Sequence, residues 1–311
     1  MRKANPFDYF FLLRPLILIP SWNFLLIGAY LAQDGERPVG RLLLAACIYT
    51  LIMGGIYILN QITDRETDRI NKKLFLLSEG YIPVRHAYVE MMFLWAAGLA
   101  LSSFFSITFF VFILISLILG TMYSLPPVKL KGKPLLDTLS NGIGYGMVNF
   151  IVGWLVLRPP TWAMTMEFLP YFLSICAVFM NTTIADREGD EKAGEITTAV
   201  FLGARITAFV STVLMAGAVM IALHNRDPVC LVPAALSFPL FMYLGIYSLV
   251  KQGPAPRKLL IMSFRLPGVL FTIITAILYP VYGAVLALVF IAMRVYYHRR
   301  FGIIYPTLAQ G

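Results

Sequence analysis

The chain has 311 residues, 59% of them hydrophobic and only 13% charged, with a mean hydropathy of +0.77. That composition excludes a soluble globular domain and predicts an all-α, polytopic bundle of membrane helices in a single domain over residues 1–311. The formal charge of +9 suits anionic lipid headgroups or an anionic substrate, and with no soluble basic domain to carry it, nucleic-acid binding is a poor reading.

Apolar runs fall at about 15–33, 41–60, 88–105, 107–123, 136–157, 168–185, 205–224, 229–250 and 266–297, which predicts about nine spans. The first run has no small-residue cleavage site and is expected to stay as a span. The last is longer than a bilayer needs and contains Pro280, so one kinked or tilted helix is predicted there. Of the 25 Lys and Arg, 18 lie in the N-terminal segment and after spans two, four, six and eight. The positive-inside rule therefore places the N-terminus and those loops in the cytoplasm. Arg294, Arg299 and Arg300 dissent, because a single last span puts them on the other side. Cys47, Cys176 and Cys230 stand at unrelated spacings and form no disulfide framework or zinc site.

The pentapeptide Asp-Arg-Glu-X-Asp occurs at 64–68 and again at 186–190, each time after a long apolar run. Eight of the 16 acidic residues lie in the windows 64–68 and 186–195. Within each copy the two aspartates are four apart and share a helix face. Asn60 extends the first stripe to Asn60, Asp64 and Asp68. The copies are separated by four predicted spans, which points to a parallel duplication of spans one to four and five to eight, closed by a ninth helix. Between them, Tyr123-Ser-Leu-Pro-Pro-Val-Lys-Leu-Lys-Gly-Lys133 ends the fourth span at Pro126 and Pro127 and carries Lys129, Lys131 and Lys133. By parity these lysines face the same side as both acidic motifs. Carboxylate pairs of this kind suit Mg²⁺, which takes few carboxylates and completes its shell with water and phosphate oxygens. Lysines facing them suit the remaining phosphate oxygens. Lys133 reads equally well as a topology signal.

These residues resemble the UbiA superfamily of intramembrane prenyltransferases. Asn60, Asp64 and Asp68, continuing into Asn71-Lys72, match the first family motif. Asp186 and Asp190, continuing through Gly194, Thr197-Thr198 and Leu202-Gly203, match the second. Tyr123 to Lys131 matches the Tyr-Ser-x-Pro-Pro-x-(Lys/Arg)-x-Lys segment, and Arg14-Pro15 opens the first span as in the family. The resemblance implies a nine-helix bundle and Mg²⁺-dependent transfer of an isoprenyl group from a prenyl diphosphate to a hydrophobic acceptor in the lipid membrane. Asn60, Asp64, Asp68, Asp186 and Asp190 would carry the metal–diphosphate site, which faces the cytoplasm. Lys129, Lys131 and Arg14 would contact the diphosphate, and Tyr123 would lie near the reacting carbon. Below a departing diphosphate, aromatic faces would stabilise an allylic cation.

The chain departs from the family in one place. Lys73 and Phe75-Leu76 stand where many members have Pro and Arg-Pro, so a phosphate-binding Arg is missing, and Arg65, Arg69 or Lys73 is left to replace it. The Asn60-Gln61 start and the missing Arg resemble family members that prenylate homogentisate or quinone precursors more than those beginning Asn-Asp, and that resemblance implies an aromatic or quinone-precursor acceptor. A polar lipid or a tetrapyrrole acceptor stays open, as does a cation-coupled transporter that uses the carboxylates as ion ligands.

Overall fold

The computed structural model describes residues 4–35, 38–70, 75–251 and 255–305, and among them every regular element is helical. Lys72 and Lys73 of the first motif's sequel lie outside the described residues. A short helix α1 (Pro6–Leu12) leads through Arg14 into α2 (Pro15–Leu31), with a 46° bend between them. The long α3 (Val39–Thr63) is followed by two short helices, α4 (Arg65–Ile70) and α5 (Phe75–Ser78), and then by α6 (Val84–Ser102) and α7 (Ile107–Ser124). The next span is broken into α8 (Leu136–Asn141), a π-helical stretch over Gly142–Val148, and α9 (Asn149–Leu155). The longest helix, α10 (Trp162–Ala193), precedes α11 (Thr198–His224), α12 (Pro228–Val250), α13 (Arg257–Leu278) and α14 (Pro280–Phe301).

Seven of these helices are long and apolar enough to cross a bilayer, or eight if the bent α1–α2 pair counts as one span. The nine expected spans differ from this count for local reasons. Helix α6 opens with Arg85, His86 and Glu90, and the run 136–157 is interrupted by its π turn.

The last run departs most from expectation. Pro280 does not kink one long helix but starts a second one, α14, immediately after Tyr279. Pairing against α2 shows that the two helices run in opposite directions. Thr272 of α13 accepts from Asn23 at 2.9 Å, and Tyr279 accepts from Gln33 beyond the end of α2 at 3.0 Å. Helix α14 then returns along the same neighbour. Tyr282 donates to Asn23 at 2.6 Å, Tyr296 stacks on Phe11 at 3.9 Å, and Arg300 reaches Asp8 at 2.9 Å. Because Pro has no N–H to give and disfavours helix in its predecessor, the chain turns at Tyr279 and not elsewhere in the run. Arg294, Arg299 and Arg300 therefore lie at the same end as the N-terminal segment, which removes their dissent from the charge asymmetry.

Helices approach most closely where glycine allows it. A Cβ on Gly28 of α2 would fall 2.0 Å from the Phe150 carbonyl oxygen of α9, and one on Gly153 would fall 1.8 Å from that of Leu25. Backbone contact of this kind is the usual means of tight helix association in lipid. It fixes α9 against α2 and so positions the π turn that precedes it.

Candidate active site

The first acidic motif straddles the end of α3. Helical hydrogen bonds continue through the break, from Asp64 N–H to Asn60 C=O at 3.0 Å and from Asp68 N–H to Asp64 C=O at 2.8 Å. Asn60, Asp64 and Asp68 therefore keep the expected stripe even though α4 begins at Arg65. Asp64 accepts an ion pair from Lys131, whose side chain is only 13% exposed. The second motif occupies the final turns of α10. Asp190 accepts from the Thr197 hydroxyl at 2.8 Å, and Glu195, just past the helix, pairs with Lys129 at 2.7 Å.

Lys129 and Lys131 thus reach to opposite sides. Lys129 precedes and Lys131 lies within a tight 3₁₀ turn, Leu130–Gly132, with Lys131 on the first motif and Lys129 beside the second. This turn brings together regions that lie more than a hundred residues apart in the sequence. Lys129 holds a left-handed backbone with φ of 37°, and Arg14 another with φ of 57°. Such conformations cost a non-glycine residue about 1–2 kcal/mol, and both belong to cations for which the family resemblance implies a diphosphate contact. Lys133 is exposed to solvent, as a topology signal is.

The turn is held from its far side by a residue that sequence reasoning missed. Asp137, buried at the start of α8, accepts from the Thr198 N–H at 2.7 Å, from the Thr198 hydroxyl and from the Thr138 N–H at 2.6 Å. Thr197, the residue just before α11, makes no capping bond with its own side chain. Asp137 supplies the cap from another helix, where a carboxylate also meets the positive end of the helix dipole. Leu135 N–H bonds the same Thr198 hydroxyl at 2.8 Å. The lysine segment is therefore docked directly onto the sequel of the second motif.

Behind the turn lies a cavity of about 300 Å³ among α2, α3, α7, α8 and α10. Three predicted residues line it: Arg14, Asn60 and Tyr123. Asn60 donates to Ser124 at 3.4 Å, and Tyr123 accepts from Asn141 at 3.2 Å. Further in, the Tyr57 and Tyr145 hydroxyls meet at 2.8 Å, and Tyr49 donates to Asn149. The π turn, rich in glycine, presents Tyr145 to this space, and such turns recur at functional sites. The signal for this lining was visible in the sequence. Asn141 and Asn149 are amides eight apart within a run assigned to a membrane span, and intramembrane amides demand partners.

Asp186 lies one helical turn before Asp190 on α10. It is exposed and lines a second, open cleft of about 940 Å³ together with Arg205, Lys251 and Arg257. Asp68 is half-buried on α4. Of the substitutes considered for the missing Arg, Arg65 and Arg69 both engage Glu66, each at 3.2 Å. Among the described residues, no three His, Cys, Asp or Glu side chains are close enough to hold a metal unaided. A Mg²⁺ site needs no such cage, because one or two carboxylates with waters and phosphate oxygens complete it. The hard oxygen donors of the two motifs fit that requirement.

The profile of the UbiA prenyltransferase family matches residues 21–266. The chain belongs to that family. Among relatives, it is 31% identical over 177 residues to the 2-acyl-4-prenylphloroglucinol 6-prenyltransferase of Humulus lupulus, a match covering 53% of this chain and 43% of that protein. It is 28% identical over 211 residues to the digeranylgeranylglyceryl phosphate synthase of Sulfurisphaera tokodaii, covering 67% of this chain and 74% of the other. The chain thus spans less than half the length of the plant relative. A UbiA homologue from Archaeoglobus fulgidus, solved bound to GPP and Mg²⁺, superposes with a TM-score of 0.68 at 23% identity over 86% of this chain and 98% of its own. That likeness establishes the polytopic helical UbiA fold, and the chain is an integral membrane protein.

Proposed function

We propose that this UbiA-family chain transfers an isoprenyl group from a prenyl diphosphate to an aromatic or quinone-precursor acceptor at the mouth of the tyrosine-lined cavity. The observation that carries the reading is the Lys129–Lys131 segment, which pairs one cation with Asp64 of the first acidic motif and the other with Glu195 just past the second. Asn60, Asp64, Asp68, Asp186 and Asp190 would hold Mg²⁺, in keeping with the ligands of the A. fulgidus homologue. Bound there, Mg²⁺ neutralises the diphosphate and makes it a better leaving group. Lys129 and Lys131 exchange their carboxylate partners for phosphate oxygens and stabilise the charge that grows on them as the allylic C–O bond breaks. Arg14 supplies a third cation from the bend before α2. The ring of Tyr123, at the top of the cavity, faces the carbon left electron-poor. A nucleophilic ring carbon of the acceptor then forms the new C–C bond and loses its proton.

The acceptor class follows the plant relative, named for a phloroglucinol, and the tyrosine hydroxyls and asparagine amides of the cavity support it. The S. tokodaii relative favours the second reading, a polar-lipid acceptor. A transporter loses its support, since family membership and carboxylates at helix ends both point to transfer chemistry. The site faces the cytoplasm, because the return of α14 adds three arginines to an end that already holds most of the basic residues. Purified protein incubated with Mg²⁺, GPP and longer donors, and a panel of phenolic and glyceryl-phosphate acceptors, tests this by mass spectrometry. Prenylated phenols are expected. Product from the glyceryl phosphates alone would replace the acceptor class, and no product from any pair would remove the reading.

A further inference from the structure

The deep end of the cavity holds an amide with half of its bonding capacity unused. Asn149 is 1% exposed and lines the cavity. Its Oδ1 accepts from the Tyr49 hydroxyl, whereas its Nδ2 has no partner in the protein. Leaving such a donor unpaired is destabilising, so its retention in a membrane interior needs a ligand or a role. Tyr49 orients it, because an amide whose oxygen is held has its nitrogen fixed on the other side.

Position decides which ligand. Tyr49 stands eleven residues before Asn60 on α3, and Ser116, which also borders Tyr49 at 3.3 Å, stands eight before Ser124 on α7. At a rise of 1.5 Å per residue, the amide therefore lies about 12–16 Å below the mouth. A prenyl tail carries no oxygen and would seal the N–H against hydrocarbon. A ring bearing a hydroxyl or carbonyl satisfies it, and about 300 Å³ is the size of a small-molecule pocket, with room for one or two rings but not for a long polyisoprenoid.

We propose that Asn149 is a specificity-determining residue that donates from Nδ2 to a ring oxygen of a phenolic or quinone-type acceptor. The cavity then houses the acceptor, with its nucleophilic carbon directed back toward Tyr123, and the prenyl tail leaves the mouth by another route. This assignment rests on the prenyl-transfer reading above and narrows it.

The test compares wild type with Asn149→Leu, which keeps the side-chain size and removes the donor. Binding of homogentisate, 4-hydroxybenzoate and 1,4-dihydroxy-2-naphthoate is measured against the ring-deoxy partners phenylacetate, benzoate and 2-naphthoate. Wild type should prefer at least one phenol by about tenfold or more, and Asn149→Leu should erase that preference while raising the acceptor KM. If Asn149→Leu fails to fold with the Tyr49 hydroxyl stranded, the double variant Tyr49→Phe/Asn149→Leu removes both partners together and carries the same expectation. An unchanged preference in a folded variant overturns the assignment, as does a loss of GPP affinity with acceptor binding intact, which would place the tail in the cavity. Failure of wild type to prenylate any phenol in the panel overturns the acceptor reading itself, and this assignment with it.

Discussion

Lys131 lies in an ion pair with Asp64, so the cation of the loop segment closes on the first aspartate of the first acidic motif. The resting site is thus neutralised from within. On the proposed reading, Asp64 would be a ligand of the metal and Lys131 would pair with a phosphate oxygen, so filling the site would break this ion pair. The lysine side chain is 13% exposed and its partner 29%, so each would be costly to leave unpaired once the site is filled and water is excluded.

Asp64→Asn and Asp190→Asn each neutralise a carboxylate that the proposed reading assigns to the metal, at a helix end that water reaches. Turnover should fall by about 10²–10³-fold or more, with folding and insertion retained. Steady-state transfer assays at saturating Mg²⁺, alongside size-exclusion profiles in detergent, check both parts. Near-normal turnover in either variant would end the metal-site assignment.

Lys131→Ala and Lys133→Ala should separate cleanly, though the residues are two apart. The first strips a positive charge from the leaving group and should lower kcat by about 10²-fold. The second changes an exposed surface position and should leave kcat within about twofold. Equal losses would mean that the segment acts through its fold alone.

Asp137→Ala should cost about 2–3 kcal/mol, because it uncaps α11 and leaves the buried Thr198 donors without a partner. Activity should drop as well, since the same contacts dock the lysine turn. Thermal unfolding followed by tryptophan fluorescence in detergent gives the stability change. A variant as stable as wild type would show that the cap is dispensable.

Fluorine on the allylic unit of the donor withdraws electrons from the carbon that becomes cationic. Turnover should slow by orders of magnitude, about 10²-fold or more, while donor affinity barely changes. Chelation with EDTA should stop transfer reversibly. Equal rates with natural and fluorinated donors would indicate direct displacement or a rate limit in another step.

Much of this was legible in the residues because their chemistry is out of place in lipid. Asn60, Asp64 and Asp68 declare a stripe by spacing alone, and the backbone keeps it. Lys129 and Lys131 are placed on the right side by parity. Asp137 was not legible, since an acid at the start of a span looks like any loop residue until its partner Thr198 is found 61 positions away. Glu195 was counted among the acids but given no role, for the same reason. The turn at Pro280 was read as a kink because proline permits both outcomes, and only the aromatic and polar matches along α2 decide between them. The π turn has no signature in periodicity, although Gly142, Gly144 and Gly146 mark a backbone free of side-chain obstruction.

The return of α14 to α1 has a consequence for how the molecule is made. Asp8 is wholly buried, and its carboxylate is satisfied by Tyr296 and Arg300, with Arg300 lying 292 positions later. A chain made without α14 would therefore leave the buried Asp8 carboxylate without its cation, and removing one partner of such a pair is strongly destabilising. The last described helix is in this sense a structural requirement of the first.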